Sequence, residues 1–322
     1  MRRDVAIVGA ALVTAMLPAV AGDYWVGLMT QSLIYGGVAA TLALLVGYAG
    51  LPSLGHAAFF GTAGYGVALL TAHTGMDPMG AAALSVGLTV ALAAVLAPFL
   101  TRLRGLGFIT VTLAFGQVMW GVAIRGGTFT GGENGVAAIP RPLLVGDLLA
   151  SGGGFFVATV ILVAGILIVA SRIADSPFGL SLVGLRDADQ RMTALGYHVH
   201  RHRSAVFIIA AAFGAVLGVW FVFFNQFVGP STLDWRLSAT FLLAVVVGGR
   251  NSLWGPFLAG VFLKAGQSVL TGQTSLWPMV LGILYVFTVL IIPDGITSIP
   301  NRMRSFRGTV GDRRPLASEG TP

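Results

Sequence analysis

Long apolar runs separated by short polar gaps dominate the chain, and most of the gaps carry arginine. A helix crossing a bilayer needs about 20 mostly apolar residues. The runs that meet or approach this length are Val5–Ala21, Leu28–Val46, Ser53–Leu70, Met79–Leu100, Phe108–Ile124, Phe155–Ala170, Ser204–Phe224, Leu237–Gly248, Leu253–Leu270 and Leu276–Ile292. They are continuous, whereas an outer-membrane barrel shows short alternating segments. The expected fold is therefore all-α, a polytopic membrane helical bundle of about ten transmembrane segments. Leu237–Gly248 is short for a span and predicts a broken or re-entrant helix.

The gaps orient the bundle. Arginines gather at Arg2–Arg3, Arg102–Arg104, Arg172–Arg203 and Arg302–Arg314, and such clusters mark cytoplasmic faces. A chain starting inside satisfies all four clusters and leaves the C-terminus cytoplasmic. Merging Leu237–Leu270 into one span would put the arginine-rich tail outside, so two passes are expected there. Residues 1–300 read as a single transmembrane domain with a cytoplasmic loop at 172–203, and 301–322 as a disordered basic cytoplasmic tail. Arg2–Arg3, the first apolar run and Ala19-Val20-Ala21 fit either a cleaved signal peptide or a retained first helix, and the remaining topology is the same for both.

Composition adds exclusions. Of 322 residues, 56% are hydrophobic and 10% charged, against roughly 25% charged in a typical soluble domain; mean hydropathy is +0.86. With no cysteine, neither disulfides nor a thiolate metal site can form. The net charge of +7 belongs to the span ends, where it sets topology and indicates no nucleic-acid partner. Lys264, the sole lysine, precedes Ala265, so the Gly-Lys-Ser/Thr of an ATP-binding P-loop is absent. All 12 carboxylates lie at span ends or in gaps, leaving His56 as the one candidate for an intramembrane proton relay. No catalytic or metal-ligating cluster stands out, and no cofactor is expected. His198, His200 and His202 alternate with Arg201 and Arg203 in a loop and read as a solvated basic face.

A transporter without an ATP site or an acid relay needs an engine elsewhere, and the 172–203 segment is where one would attach. Ser176-Pro177 is a helix start. A short helix is expected from Leu185 to Leu195, ending at Gly196 as its C-cap. Leu185, Ala188, Met192 and Leu195 fall at helical spacing, with Arg186, Asp187, Asp189, Gln190 and Arg191 on the remaining surface. Such a helix suits docking into a groove on a soluble partner; the other reading lays it on the membrane surface.

Gly47–Gly66, GYAGLPSLGHAAFFGTAGYG, carries more glycine than a lipid-facing helix needs. Broken backbone at membrane depth is tolerated where protein buries it or where it lines a watery cavity, so the run reads as a pathway wall or a close-packed seam. Gly50, Ser53, His56, Gly61, Thr112 and Gln117 are the candidates for the pathway. His56 fits two roles, lining a pathway or bonding a neighbouring helix, and Thr110 and Asn225 share the ambiguity. On the outer side Gly126–Gly135, GGTFTGGENG, supplies a turn-rich loop. Its Gly131, Gly132, Glu133, Asn134 and Gly135 form either a docking surface or a flexible connector. Residues 41–61 also align without gaps to 240–260, with identities including 50/249, 53/252, 54/253 and 61/260, which suggests a parallel repeat.

Taken in order, Gly47-Tyr48-Ala49-Gly50, Ser53-Leu54-Gly55-His56-Ala57-Ala58-Phe59-Phe60-Gly61, Arg104-Gly105, Thr112-Leu113-Ala114-Phe115-Gly116 and Thr130-Gly131-Gly132-Glu133-Asn134-Gly135 resemble the branched-chain amino acid ABC importer permeases of the LivM type. Ser176-Pro177-Phe178-Gly179, Arg186-Asp187, Ala194-Leu195-Gly196-Tyr197, Val247-Gly248-Gly249 and Leu253-Trp254-Gly255-Pro256 continue the match across nearly the whole chain. The resemblance implies a bacterial inner-membrane permease that pairs with a sister permease subunit, two cytoplasmic ATPase subunits and a periplasmic substrate-binding protein. ATP hydrolysis would then occur on the partners. Two departures stand out: Ala188-Asp189-Gln190 follows Arg186-Asp187 where the family has asparagine-glutamate, and Leu51-Pro52 replaces a glutamine-leucine pair. The implied substrates are branched-chain or other amino acids, with urea, short amides or aromatic acids as the alternative within the family. A self-sufficient secondary carrier or channel and a membrane scaffold are the rival classes.

Overall fold

The computed structural model describes residues 22–142, 149–249 and 252–271 continuously, with scattered positions between 7 and 18 and between 279 and 286. The expected spans Val5–Ala21 and Leu276–Ile292 lie wholly or largely outside the described residues, as does the tail at 301–322. Every expected span from Leu28–Val46 to Leu253–Leu270 corresponds to one helix.

The helices are α1 (Asp23–Ala43), α2 (His56–Thr74), α3 (Pro78–Leu100), α4 (Leu106–Arg125), α5 (Gly152–Asp175), α6 (Pro177–Asp187), α7 (Asp189–Ala194), α8 (Val199–Asn225), α9 (Trp235–Gly248) and α10 (Trp254–Thr271). Short polar residues at the gaps start several of them. Asp77 caps α3 by accepting the amides of Met79 at 3.1 Å and Gly80 at 3.3 Å, with Pro78 in the first turn. Ser151 caps α5, Ser176 caps α6, and Asp234 caps α9. Six helical stretches among the described residues are long and apolar enough to cross a membrane: Asp23–Tyr48, Pro78–Leu100, Leu106–Arg125, Gly152–Asp175, Val199–Asn225 and Pro230–Gly248.

Burial separates the bundle into a centre and a rim. The apolar window of α1 is 78% buried, whereas those of α3 and α4 are 28% and 22% buried. The centre is aromatic: Phe59 packs against Phe115 and Phe207 with ring centroids 5.1 and 5.4 Å apart, and Phe60 meets Phe221 at 5.3 Å. Small residues let the backbones approach. A Cβ at Gly36 on α1 would stand 2.7 Å from the Phe257 carbonyl oxygen of α10, and Gly218 on α8 lies directly on the carbonyl of Phe60.

The two aligned segments, 41–61 and 240–260, share local features. α1 passes into a π-helical turn, Leu44–Tyr48, then an irregular stretch, then α2. Likewise α9 ends at Gly248, and α10 begins at Trp254. The aligned glycines Gly50 and Gly249 hold φ of +68° and +95°, a region a Cβ disfavours. The aligned serines act alike: Ser53 Oγ accepts the Gly55 amide and Ser252 Oγ the Trp254 amide, each at 3.2 Å.

Three local expectations are corrected. A single helix over Leu185–Leu195 does not form. The chain breaks at Ala188 (φ −152°, ψ 66°) into α6 and α7, and Met192 folds back onto Gly184. Arg203 is not solvated; it is 5% exposed on α8. His200 and His202 belong to the first turns of α8, not to a loop, and the His202 ring lies 5.7 Å from that of Phe178. Charge accounts for the first correction: the buried Arg203 takes Asp189 as its counter-ion, and the break at Ala188 sets Asp189 toward it.

Candidate functional site

The segment between α5 and α8 starts at Ser176 and ends at Gly196. The Tyr197 amide bonds the Met192 carbonyl at 3.1 Å and the Gly196 amide the Thr193 carbonyl at 3.0 Å, with Gly196 at φ +86°. That is the left-handed C-terminal cap expected of Gly196. Leu185 is buried in the bundle and Arg191 is exposed. Leu195 and Leu180 are 73% and 68% exposed, so the segment presents apolar side chains outward. Asp187 pairs with Arg186 at 2.8 Å and remains largely exposed. Asp189, by contrast, lies between Arg104 and Arg203, with Arg203 Nη2 at 3.1 Å. One acid faces outward and the other ties the segment to α8 and to the gap before α4.

Arg186 also reaches inward. Its Nη1 donates to the Gly47 carbonyl in the π turn, and a Cβ at Gly50 would stand 2.8 Å from Arg186 Cγ. The segment is thereby held to the break between α1 and α2.

The pathway candidates divide. Gly50, Ser53, His56, Gly61 and Thr112 are drawn into the bundle. Thr112 Oγ1 accepts the Leu54 amide at 3.2 Å, and Gly55 lies on the Thr112 carbonyl. His56 is 2% exposed, its Nε2 beside Gly214, and Gly61 packs on Leu233 and Thr232. Thr110 and Gln117 are instead on the exposed side of α4. The structure joins the first group as a close-packed seam and leaves Gln117 apart.

The loop at 126–135 is built, not loose. Gly131, Gly132 and Gly135 take positive φ around a 3₁₀ turn, Gly132–Asn134. Gly135 lies against Val228 and Gly229, with no room for a side chain. Beyond it, β1 (Val136–Ala137) pairs antiparallel with β2 (Phe227–Val228), Val136 opposite Val228. Thr130 Oγ1 donates to the Ala123 carbonyl at 2.6 Å, and a ring nitrogen of His73 bonds the Phe129 carbonyl at 3.1 Å. Glu133 and Asn134 stand exposed on this platform.

Sequence reasoning missed a cavity of about 350 Å³ among α1, α8, α9 and α10, on the side of the bundle where this loop lies. Tyr35, Asn225, Asp234, Arg236 and Gln267 contribute its polar lining. Gln31 Nε2 donates to Asn225 Oδ1 at 3.0 Å beside it. A signal existed: Lys264 lies in an apolar run with amides nearby, and the structure sets its Nζ 4.7 Å from the Tyr35 ring centre.

Comparison with known proteins accords with this architecture. The family described as "Branched-chain amino acid transport system / permease component" matches residues 24–290. The chain is 28% identical to the high-affinity branched-chain amino acid transport system permease protein LivM of Escherichia coli (strain K12) over 314 residues, covering 88% of this chain and 74% of that protein. To the protein of the same name in Salmonella typhimurium it is 29% identical over 295 residues, covering 84% and 69%. No solved structure matches the chain. A multi-pass helical bundle matched over these residues, with the motifs in order, belongs to the family of branched-chain amino acid transport system permease components.

Proposed function

We propose that the chain forms half of the translocation pathway of an ATP-driven importer in a bacterial inner membrane, carrying branched-chain amino acids, as its relatives' names state of them. Its partners on this reading are a sister permease subunit, two cytoplasmic ATPase subunits and a periplasmic substrate-binding protein that delivers the small-molecule substrate. The observation that carries the reading is the tether of the cytoplasmic segment to the helix break, Arg186 to Gly47. ATPase subunits dock on Asp187, Arg191 and the exposed Leu180 and Leu195, and their movement on ATP binding is passed through Arg186 to Gly47–Gly50. Coupling residues are thus Leu185, Arg186, Asp187, Asp189, Arg191, Leu195 and Gly196. Leu185 and Asp189 anchor the segment, Arg186 ties it to Gly47, and the others face the partner or shape the turn. Gly50, Ser53, His56, Gly61 and Thr112 form the hinge wall beside the pathway, and Gln117 faces the sister subunit. The binding protein docks on Gly131–Gly135, with Glu133 and Asn134 as its polar contacts. The C-terminus is cytoplasmic, residues 1–300 act as one membrane domain, and 301–322 form a basic tail.

Reconstitution tests this. The chain alone in liposomes is expected to move no leucine, isoleucine or valine. The complex with the sister permease, ATPases and binding protein is expected to do so only with ATP. Uptake by the chain alone would overturn the reading in favour of a secondary carrier or channel.

A further inference from the structure

Pro230–Gly248, the last of the six long apolar stretches, carries two opposite charges near its start, Asp234 and Arg236. Ionisable groups in such stretches are costly, pair with one another, and mark ion or substrate routes. Both residues line the cavity among α1, α8, α9 and α10. The Asp234 carboxylate accepts the Arg236 amide and Nη1, each at 2.9 Å. That pairing exhausts neither group. A carboxylate offers about four acceptor sites and a guanidinium several donors, and the pair uses two of the former and one of the latter. The Arg236 side chain is 75% exposed, so its remaining donors are open at the cavity edge.

The cavity changes character along its walls. Arg236 and the 42% exposed Phe227 stand at its open edge. Tyr35, near the middle of α1, and Phe221 form an aromatic end, with ring centroids 6.0 Å apart. Leu237 adds aliphatic surface. Asn225 is already committed: it accepts from Gln31 at 3.0 Å and donates to the Phe221 carbonyl at 2.7 Å. Recognition of charge therefore falls to Asp234 and Arg236. The volume of about 350 Å³ is at the lower end of the 300–1,000 Å³, roughly, of small-molecule pockets. Adjacent full charges of opposite sign complement a ligand that carries both. A urea or short amide needs no such pair, and an acyl chain needs no polar wall.

We propose that this cavity binds a zwitterionic α-amino acid through its open edge, the ammonium on Asp234, the carboxylate on Arg236, and an apolar side chain laid toward Tyr35, Phe221 and Leu237. The inference rests on the permease reading and deepens it, giving one subunit a substrate site apart from the glycine seam.

The test uses the complete transporter with leucine as the probe. Because the chain contains no cysteine, Thr240→Cys puts a unique thiol on the cavity wall. In the solubilised complex a charged thiol reagent is expected to label it, and leucine is expected to slow the labelling. At equal concentration, 4-methylpentanoate, which lacks the amine, and leucinamide, which lacks the carboxylate, are expected not to. Adding Asp234→Asn keeps a residue that caps a helix equally well and removes the charge. The leucine concentration giving half protection is then expected to rise at least about tenfold, as for a lost hydrogen bond to a charged group. Arg236→Gln is expected to do the same. Absence of labelling, equal protection by either analogue, or unchanged protection in Asp234→Asn overturns the proposal. Failure of the wild-type complex in liposomes to take up leucine, isoleucine or valine overturns the permease reading. Loss of leucine protection in a complex that transports overturns the site alone.

Discussion

The guanidinium of Arg186 donates a hydrogen bond to the backbone carbonyl of Gly47, so a side chain on the segment between α5 and α8 is bound to the interior of a long apolar helix at the point where it loses α-helical geometry. The last carbonyls of a helix lack intrahelical donors, Gly47 is the penultimate residue of this one, and a π turn often marks a functional position. A charged donor from another element fills that vacancy.

Gly50→Ala is expected to strain this junction. The residue holds φ +68°, where an L side chain costs about 1–2 kcal/mol, and the new methyl would press on Arg186. Transport per ATP hydrolysed should fall in the reconstituted complex, while the ATPase subunits still bind. Equal ratios for variant and wild type would refute the coupling role.

The two acids of the segment should behave differently. Asp189→Asn leaves Arg203, 6% exposed at its side chain, without its counter-ion, and breaking a buried pair costs about 3–5 kcal/mol. A clear drop in the thermal midpoint of the detergent-solubilised protein is expected. Asp187→Lys should barely move that midpoint, because its pair is exposed and worth about 0–1 kcal/mol. Its effect should fall on ATPase-driven uptake.

His56→Leu tests whether the imidazole packs or conducts. The ring is enclosed beside Gly214, so the variant should alter the thermal midpoint while the leucine concentration giving half-maximal uptake stays the same. A shift in that concentration would return His56 to the pathway.

Glu133→Arg on the outer platform should weaken stimulation of the ATPase by the binding protein without changing the midpoint, since the side chain is exposed. Gly135→Val should do both, because its position lies against Val228 and Gly229. Identical stimulation curves for Glu133→Arg and wild type would remove the platform from the docking reading.

Much of this architecture is legible in the sequence because the bilayer imposes a coarse length rule on apolar runs. The helix start at Ser176-Pro177 follows from local capping. The echo between 41–61 and 240–260 announces itself through glycines that share a positive φ and serines whose hydroxyls accept the amide two residues on. What stays hidden depends on distant partners. Periodicity over Leu185–Leu195 is satisfied by one helix, and only the buried Arg203 on another helix shows why the chain turns at Ala188. The cavity is likewise invisible, because Tyr35, Asn225, Asp234 and Gln267 come from four elements that no spacing rule connects.

The shortness of α9, 14 residues, leaves irregular backbone to complete its column. Peptide groups at such depth must find their partners inside the protein. The Thr232 amide and Oγ1 both donate to the Gly229 carbonyl, at 3.0 and 2.8 Å, and the Leu233 amide donates to the Pro230 carbonyl at 3.0 Å. The column is finished by a self-bonded turn where a longer helix would have supplied the ladder.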